Sequence, residues 1–237
     1  MGFFRWFPFT LADGAHNMAA DEVLLHTAAE KGSAALRFYG WPQATLSLGY
    51  FQPAETRHRL ARLPWVRRPS GGKALIHHHE LTYALALPPG FSRDWLRRMH
   101  EHVILPALNR LGLTGVIEVA EAPCMHGELL CFQQQTPGDL ACAGRKVAGS
   151  AQRKFRQCLL QHGAILLCQS AYAPELPGIK ELTNIDVSVP DLQVAIRDQF
   201  QRHTGWEAHD GTWSNEEKER VEKLARQYAS LEWNERR

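Results

Sequence analysis

A chain of 237 residues, 44% hydrophobic and 22% charged, can bury one substantial core, or a main domain with a small appendage. Its 27 Lys and Arg against 25 Asp and Glu leave a formal charge of +2, too balanced for bulk binding of nucleic acid. No window approaches the roughly 18 to 20 apolar residues of a membrane span, and the apolar start MGFFRWFPF lacks a charged n-region and a cleavage site, so a cytoplasmic protein is expected. Five cysteines at irregular spacings (Cys124, Cys131, Cys142, Cys158 and Cys168) form no disulfide framework and suit a reducing compartment.

The opening stretch reads as a first strand. Asn17 is placed to cap a helix through Met18, Leu24, Leu25 and Ala28, with Asp21 and Glu22 in early turns where the helix dipole favours acids. Period-two alternation then predicts half-buried strands in ATLSLGY, through Leu46, Leu48 and Tyr50, and in LTYALAL, through Leu81, Tyr83, Leu85 and Leu87. Ser92 opens a helix carrying Trp95, Met99 and Val103, and Gly112 stops it. Gly144-Arg145 sits between Leu140–Cys142 and Lys146–Ala148 as a hairpin turn, and CLLQHGAILLC reads as a buried strand pair or one long bent strand. Beyond Pro174, Pro177 and Pro190 two helices follow, the last opened by the capping box Ser214-x-x-Glu217. The pattern is an α+β body over 1–180 with a small helical appendage over 181–237.

Basic residues gather in Arg57–Arg68 and Arg145–Arg156, either as solvated faces or as a surface for an acidic partner. In RRPSGGKALIHHHELTYA (Arg67–Ala84), a phosphate loop of the GxxxxGK[ST] kind would need more residues between its glycines and a helix after the lysine. The short apolar run Ala74-Leu75-Ile76 predicts a strand instead, so no helix dipole faces an anion. The glycines permit close backbone approach by a ligand, or simply a tight turn. His77 and His79 share a strand face, and Cys124-x-His126 and Cys131 lie further on, but no CxxC, HxxxH or HExxH spacing occurs and no metal is expected. Cys142, Cys158 and Cys168 fall in apolar strand patterns, where a thiol is a small buried hydrophobe. Cys131 precedes a polar turn, with Arg145-Lys146 across the same hairpin. Fixed positive charge beside a thiol favours the nucleophilic thiolate, while an exposed inert thiol is the alternative.

Several stretches in order, NMAADEVLL, RFYGWPQATLSLGYFQ, RRPSGG with ELTYA, GRKVAGSAQR, LLQHGAILL and LEWNERR, resemble the biotin/lipoate protein ligase superfamily over nearly the whole chain. Within it the sequence is most similar to the cysteine-dependent octanoyl transferases of lipoate biosynthesis. The resemblance implies mixed β-sheets flanked by helices in the biotin/lipoate ligase (class II synthetase-like) catalytic fold. It further implies an apolar acyl tunnel with Arg67, Arg68, Ser70, Gly71, Gly72 and His77 on one side and Gly149, Ser150, Ala151 and His162 on another. By the same resemblance Lys146 contacts the acyl carbonyl, and Cys131, fifteen residues earlier in a Cys-Phe turn, is the nucleophile. The expected reaction moves octanoyl from acyl carrier protein, through an acyl-Cys131 thioester, to a lysine of a lipoyl-accepting protein such as the glycine cleavage H protein. It needs no cofactor beyond the phosphopantetheine that carries the substrate. Lys73 stands where ligases commonly carry a third glycine, and Glu121–Leu130 matches nothing in the family, which leaves Cys124 as a rival nucleophile. His77 and His162 are candidate general bases. The alternatives are an amidotransferase acting between lipoyl domains, an ATP-dependent lipoate or biotin ligase, and a binder without turnover.

Overall fold

The computed structural model describes residues 2–237. Strands β1 (Phe3–Leu11) and β2 (Ala34–Gly40) flank helix α1 (Gly14–Lys31). Then come β3 (Thr45–Leu48), β4 (Trp65–Arg67), β5 (Leu75–His77), β6 (Glu80–Leu87) and a long helix α2 (residues 95–113). Strands β7 (Ile117–Val119), β8 (Cys124–Met125), β9 (Gln134–Gln135), β10 (Leu140–Cys142), β11 (Arg145–Phe155) and β12 (Cys158–Leu166) follow. The chain closes with α3 (Ile179–Thr183), α4 (Val189–Thr204), β13 (Glu207–Asp210), α5 (Asn215–Ala229) and α6 (Leu231–Asn234). The main sheet has eight strands in the order β13-β1-β2-β6-β12-β11-β10-β7, and β4-β3-β5 form a separate small sheet.

Helices cover both faces of the main sheet. On one face Leu81, Tyr83, Leu85 and Leu87 of β6 meet Trp95, Met99 and Val103 of α2 and Leu192, Ile196 and Phe200 of α4. On the other, Ala84 and Ala86 leave room for Met18, Leu24 and Leu25 of α1 and Tyr228 of α5. Alternating large and small side chains on β6 thus set two unequal layer spacings, and the strand is buried on both faces rather than half-buried. The same holds for β3, because the face opposite Leu46 and Leu48 buries Thr45 and Ser47 against other groups instead of water.

Several boundaries differ from those expected. Asp13, not Asn17, caps α1, accepting from the amide of His16 at 2.9 Å. Asn17 lies fully buried inside the helix, where its side chain donates to the carbonyls of Ala12 and Gly40 and ties α1 to the end of β2. Asp21 and Glu22 are also buried, so they serve the interior and not the helix dipole. The second helix begins at Trp95 rather than Ser92, and Gly112 ends it at φ 94°, a left-handed conformation open to glycine. CLLQHGAILLC resolves into the single strand β12, paired along its length with β6 and β11. The β10–β11 turn has Ala143 and Gly144 both at positive φ (47° and 70°), as in a tight primed hairpin.

Residues 181–237 supply α4, α5 and α6 and also an edge strand, β13, which pairs in parallel with β1. The capping box of α5 does double duty. Glu217 accepts from the amide of Ser214 at 2.9 Å and takes a bidentate ion pair from Arg5 on β1 at 2.5 and 2.9 Å. Burial opposes its charge, but the Arg5 guanidinium and the Ser214 amide outweigh that and hold the carboxyl down to about 2, from an ordinary 4.5. This stabilisation is full above about pH 4.5 and is lost as pH falls through about 2. Glu217→Gln is expected to cost about 2 kcal/mol at neutral pH. Thermal melts should show the gap between wild type and variant narrowing from pH 6 to pH 3.

Candidate active site

The small sheet packs its inner face, Leu46, Leu48 and Ile76, against Ala164 and Leu166 at the end of β12. Between the two sheets lies a pocket with an empty volume of about 550 Å³, its open mouth included. Met18, Tyr39 and Thr82 line one part, Gly163 and Ala164 of β12 another, and Cys131 with Phe132 a third.

Cys131 begins a single helical turn, Cys131–Gln133. Its amide donates to the carbonyl of Ala74 at 2.7 Å, so the nucleophile candidate is anchored to the strand that leaves the glycine loop. Lys146 Nζ is 3.8 Å from Cys131 Sγ and also donates to Asp139 Oδ2 at 2.8 Å and to the Gln134 carbonyl at 3.3 Å. Both Lys146 and Asp139 are buried, so the ammonium stands as one rigid charge beside the sulfur. A second cation faces the same place. Arg68, buried with no carboxylate partner among the described residues, donates to Ser47, Gly71 and Lys73. Burial pulls its guanidinium down, and Cys131 is the group whose charge pulls it back up.

Gly149 makes room for this arrangement. A Cβ there would lie 2.3 Å from Lys146 Cε and 2.7 Å from its Nζ. The Lys146 side chain can yield only by shifting within its buried pair with Asp139, so Gly149→Ala should lower the melting temperature somewhat as well as move the ammonium off the sulfur. Activity should fall roughly tenfold or more, since misplacing a catalytic group by an ångström costs that much. Paired melting and turnover measurements on this variant separate the two effects.

Two buried polar chains brace the walls. His162 Nε2 is 2.5 Å from Ser70 Oγ and its Nδ1 3.2 Å from Asp21 Oδ2. Asp21 in turn accepts from Arg37 at 2.9 Å and from the Tyr39 hydroxyl at 2.8 Å, and burial pushes that phenol well above its usual range. In the neutral ring Nδ1 donates to Asp21 and Nε2 accepts from Ser70. Across the pocket, His77 Nδ1 is 2.5 Å from Glu80 Oε1 and Nε2 is 2.8 Å from Ser47 Oγ, while the ring stacks on Trp41 at 3.9 Å. Both histidines, candidates for a base or for a structural role, therefore have both nitrogens engaged, and each holds a wall in place.

Of the residues singled out in the sequence, Cys131, Arg68, Gly72 and His77 line this pocket from one side and Gly149, Ser150, Ala151 and His162 from the other. Lys146 reaches it through its contact with Cys131. Arg67, Ser70 and Gly71 do not line it. Arg67 is fully buried and donates to the carbonyls of Gly49, Gln52 and Asn234, pinning the C-terminal segment. Cys124 is exposed on the β8–β9 hairpin, 3.5 Å from His126, and is not among the pocket residues. Burial pushes the thiols of Cys142, Cys158 and Cys168 up. Among the described residues no cluster of His, Cys, Asp and Glu is arranged to hold a metal ion, and no helix is long and apolar enough to cross a membrane. Sequence reading missed Asp139, Asp21 and Ser47. The hairpin that carries Lys146 back past Leu140 was the available signal for Asp139; nothing local pairs Asp21 with His162.

Over 98% of both chains the structure is similar to a lipoate-protein ligase A bound with ATP, with a TM-score of 0.81 at 19% identity. A putative lipoate protein ligase of T. acidophilum with bound lipoic acid matches over the full length of both chains, with a TM-score of 0.79 at 19% identity. The fold is that of the lipoate ligases. Residues 13–200 match the lipoyl protein ligase A/B catalytic domain, and the chain belongs to that family. The octanoyltransferase LipM of Geobacillus kaustophilus is 33% identical over 94% of each chain, and that of Bacillus subtilis is 33% identical over 95% of each.

Proposed function

We propose that this chain is an octanoyl transferase of lipoate biosynthesis that takes the acyl group from acyl carrier protein onto Cys131 and passes it to a lysine of a lipoyl-accepting protein, such as the glycine cleavage H protein. The observation that carries the reading is Cys131 Sγ at 3.8 Å from the buried Lys146 ammonium in a pocket between two sheets. Similarity to octanoyltransferases over most of the chain supports the acyl group and the reaction type.

The Cys131 thiolate adds to the thioester carbonyl, and the Lys146 ammonium stabilises the oxyanion that forms. Collapse breaks the bond to the phosphopantetheine sulfur, which leaves as a thiolate and takes up a proton. The acyl group is then a thioester of Cys131. The neutral amine of the acceptor lysine adds to the same carbonyl, the oxyanion forms again beside Lys146, the nitrogen releases one proton to solvent, and Cys131 leaves as the thiolate. Exchange between thioesters is nearly isoenergetic and the final amide is more stable, so the sequence of steps runs without ATP or another cofactor. Free thiols throughout fit the reducing cytoplasm.

The test supplies octanoyl-acyl carrier protein and an apo lipoyl domain with ATP omitted. Octanoylation of the domain lysine is expected. A requirement for ATP and free octanoate would assign the chain to ligase chemistry instead.

A further inference from the structure

We propose that the mouth of the pocket carries a docking surface for the acyl donor, a small acidic carrier with an anionic phosphopantetheine arm, formed by Arg236, Arg237, Lys73 and Phe51. This deepens the transferase reading above and rests on it.

The glycine loop forms part of the mouth. Gly72 lines the pocket, and a Cβ on its neighbour Gly71 would lie 3.7 Å from the ring of Phe51. Phe51 is 67% exposed, an apolar side chain standing in water beside the glycine loop. Arg237 lies over this ring at 5.1 Å and over Tyr50 at 5.6 Å. Arg236 lies over Tyr50 at 4.7 Å and over Trp233 at 4.8 Å. Each guanidinium packs on two aromatic rings, and its N–H groups make no hydrogen bond among the described residues, which leaves them to a phosphate oxygen.

These arginines are held in place. Arg67 donates to the Asn234 carbonyl at 2.9 Å, Trp233 Nε1 donates to the Arg67 carbonyl at 2.8 Å, and the Ala54 amide donates to the main-chain oxygen of Arg237 at 2.8 Å. The C-terminal segment is thereby fastened to the strand that enters the glycine loop. Neither arginine forms an ion pair among the described residues, and the adjacent Glu235 is taken by Arg57 at 2.9 Å. Lys73, next in the loop, donates to the Glu128 carbonyl at 2.7 Å and has no carboxylate partner either. Arg236, Arg237 and Lys73, none in an ion pair among the described residues, and the exposed Phe51 flank the glycine loop whose Gly72 lines the pocket, on a chain whose net charge is only +2.

Charge chooses between the two protein substrates. The donor brings its thioester on an arm whose phosphodiester is negative, attached to an acidic surface. The acceptor leads with a lysine, whose ammonium the arginines oppose. The rim is therefore complementary to the donor, and such attraction acts on encounter and weakens with salt.

The experiment compares two octanoyl donors in acylating Cys131: octanoyl-acyl carrier protein and octanoyl-N-acetylcysteamine, which has neither protein nor phosphate. With R236E/R237E, and separately with Phe51→Ala, kcat/KM for the carrier should fall about tenfold or more. Its dependence on ionic strength should flatten with R236E/R237E but not with Phe51→Ala, while the small thioester reacts with both variants at the wild-type rate, which also reports an intact fold. An unchanged rate with the carrier, an equal fall with both donors, or a loss confined to transfer onto the acceptor would overturn the surface. Failure of the wild type to react with either donor would remove the transferase reading and this surface together.

Discussion

Cys131→Ala is expected to leave a folded protein that neither forms an acyl adduct nor transfers octanoyl. The side chain is only partly buried, so its truncation removes little packing. What it removes is the only thiol lining the pocket, and with it the covalent route. Without that route two hindered protein substrates would have to react directly, and turnover should fall by about a thousandfold or more. Cys124→Ala, by contrast, alters an exposed residue outside the pocket and should keep full activity. Side-by-side transfer assays on the two variants decide between the rival nucleophiles. A fully active Cys131→Ala would end the covalent account.

The second large effect belongs to Lys146. Lys146→Met takes the ammonium from the oxyanion site and should lower kcat by about 10²–10³, the usual cost of losing one such donor. It also leaves Asp139, buried and 2.8 Å from the lost nitrogen, without its counter-ion. A buried charge stranded in this way costs about 3–5 kcal/mol of stability, so the single variant confuses two losses. The double variant Lys146→Met/Asp139→Asn separates them, because it removes both charges at once. Its melting temperature should recover most of the way toward wild type while activity stays low. Recovery of activity along with stability would mean that the lysine serves the fold and not the reaction.

The sequence was most legible where local chemistry decides structure. The Ser214-x-x-Glu217 box, the Gly112 stop and the turn at Gly144 each follow from the conformations those residues allow, and each is found. Strand β3 was found but its environment was not, since alternation shows one apolar face and is silent about what covers the other. There Ser47 meets His77 and Arg68, residues distant in sequence. Asn17 is instructive for the opposite reason: Asn is a good cap, but Asp13 lies earlier, and burial found another use for the Asn17 amide. At the site, Cys131 and Lys146 could be paired by motif. Asp139 and Asp21, which hold Lys146 and His162, are positioned by sheet register and by the packing of α1, and no short pattern encodes either. No sequence pattern links Arg236 and Arg237 to the glycine loop; their stacking on Tyr50, Phe51 and Trp233 puts them beside it.

The central claim, that Cys131 carries the acyl group, is tested most directly by intact mass spectrometry of the protein after incubation with octanoyl-acyl carrier protein and no ATP. The account predicts one octanoyl adduct on the wild type, mapped to Cys131, absent from Cys131→Ala and discharged when an apo lipoyl domain is added. An unmodified wild type that octanoylates the domain only with ATP and free octanoate would contradict it.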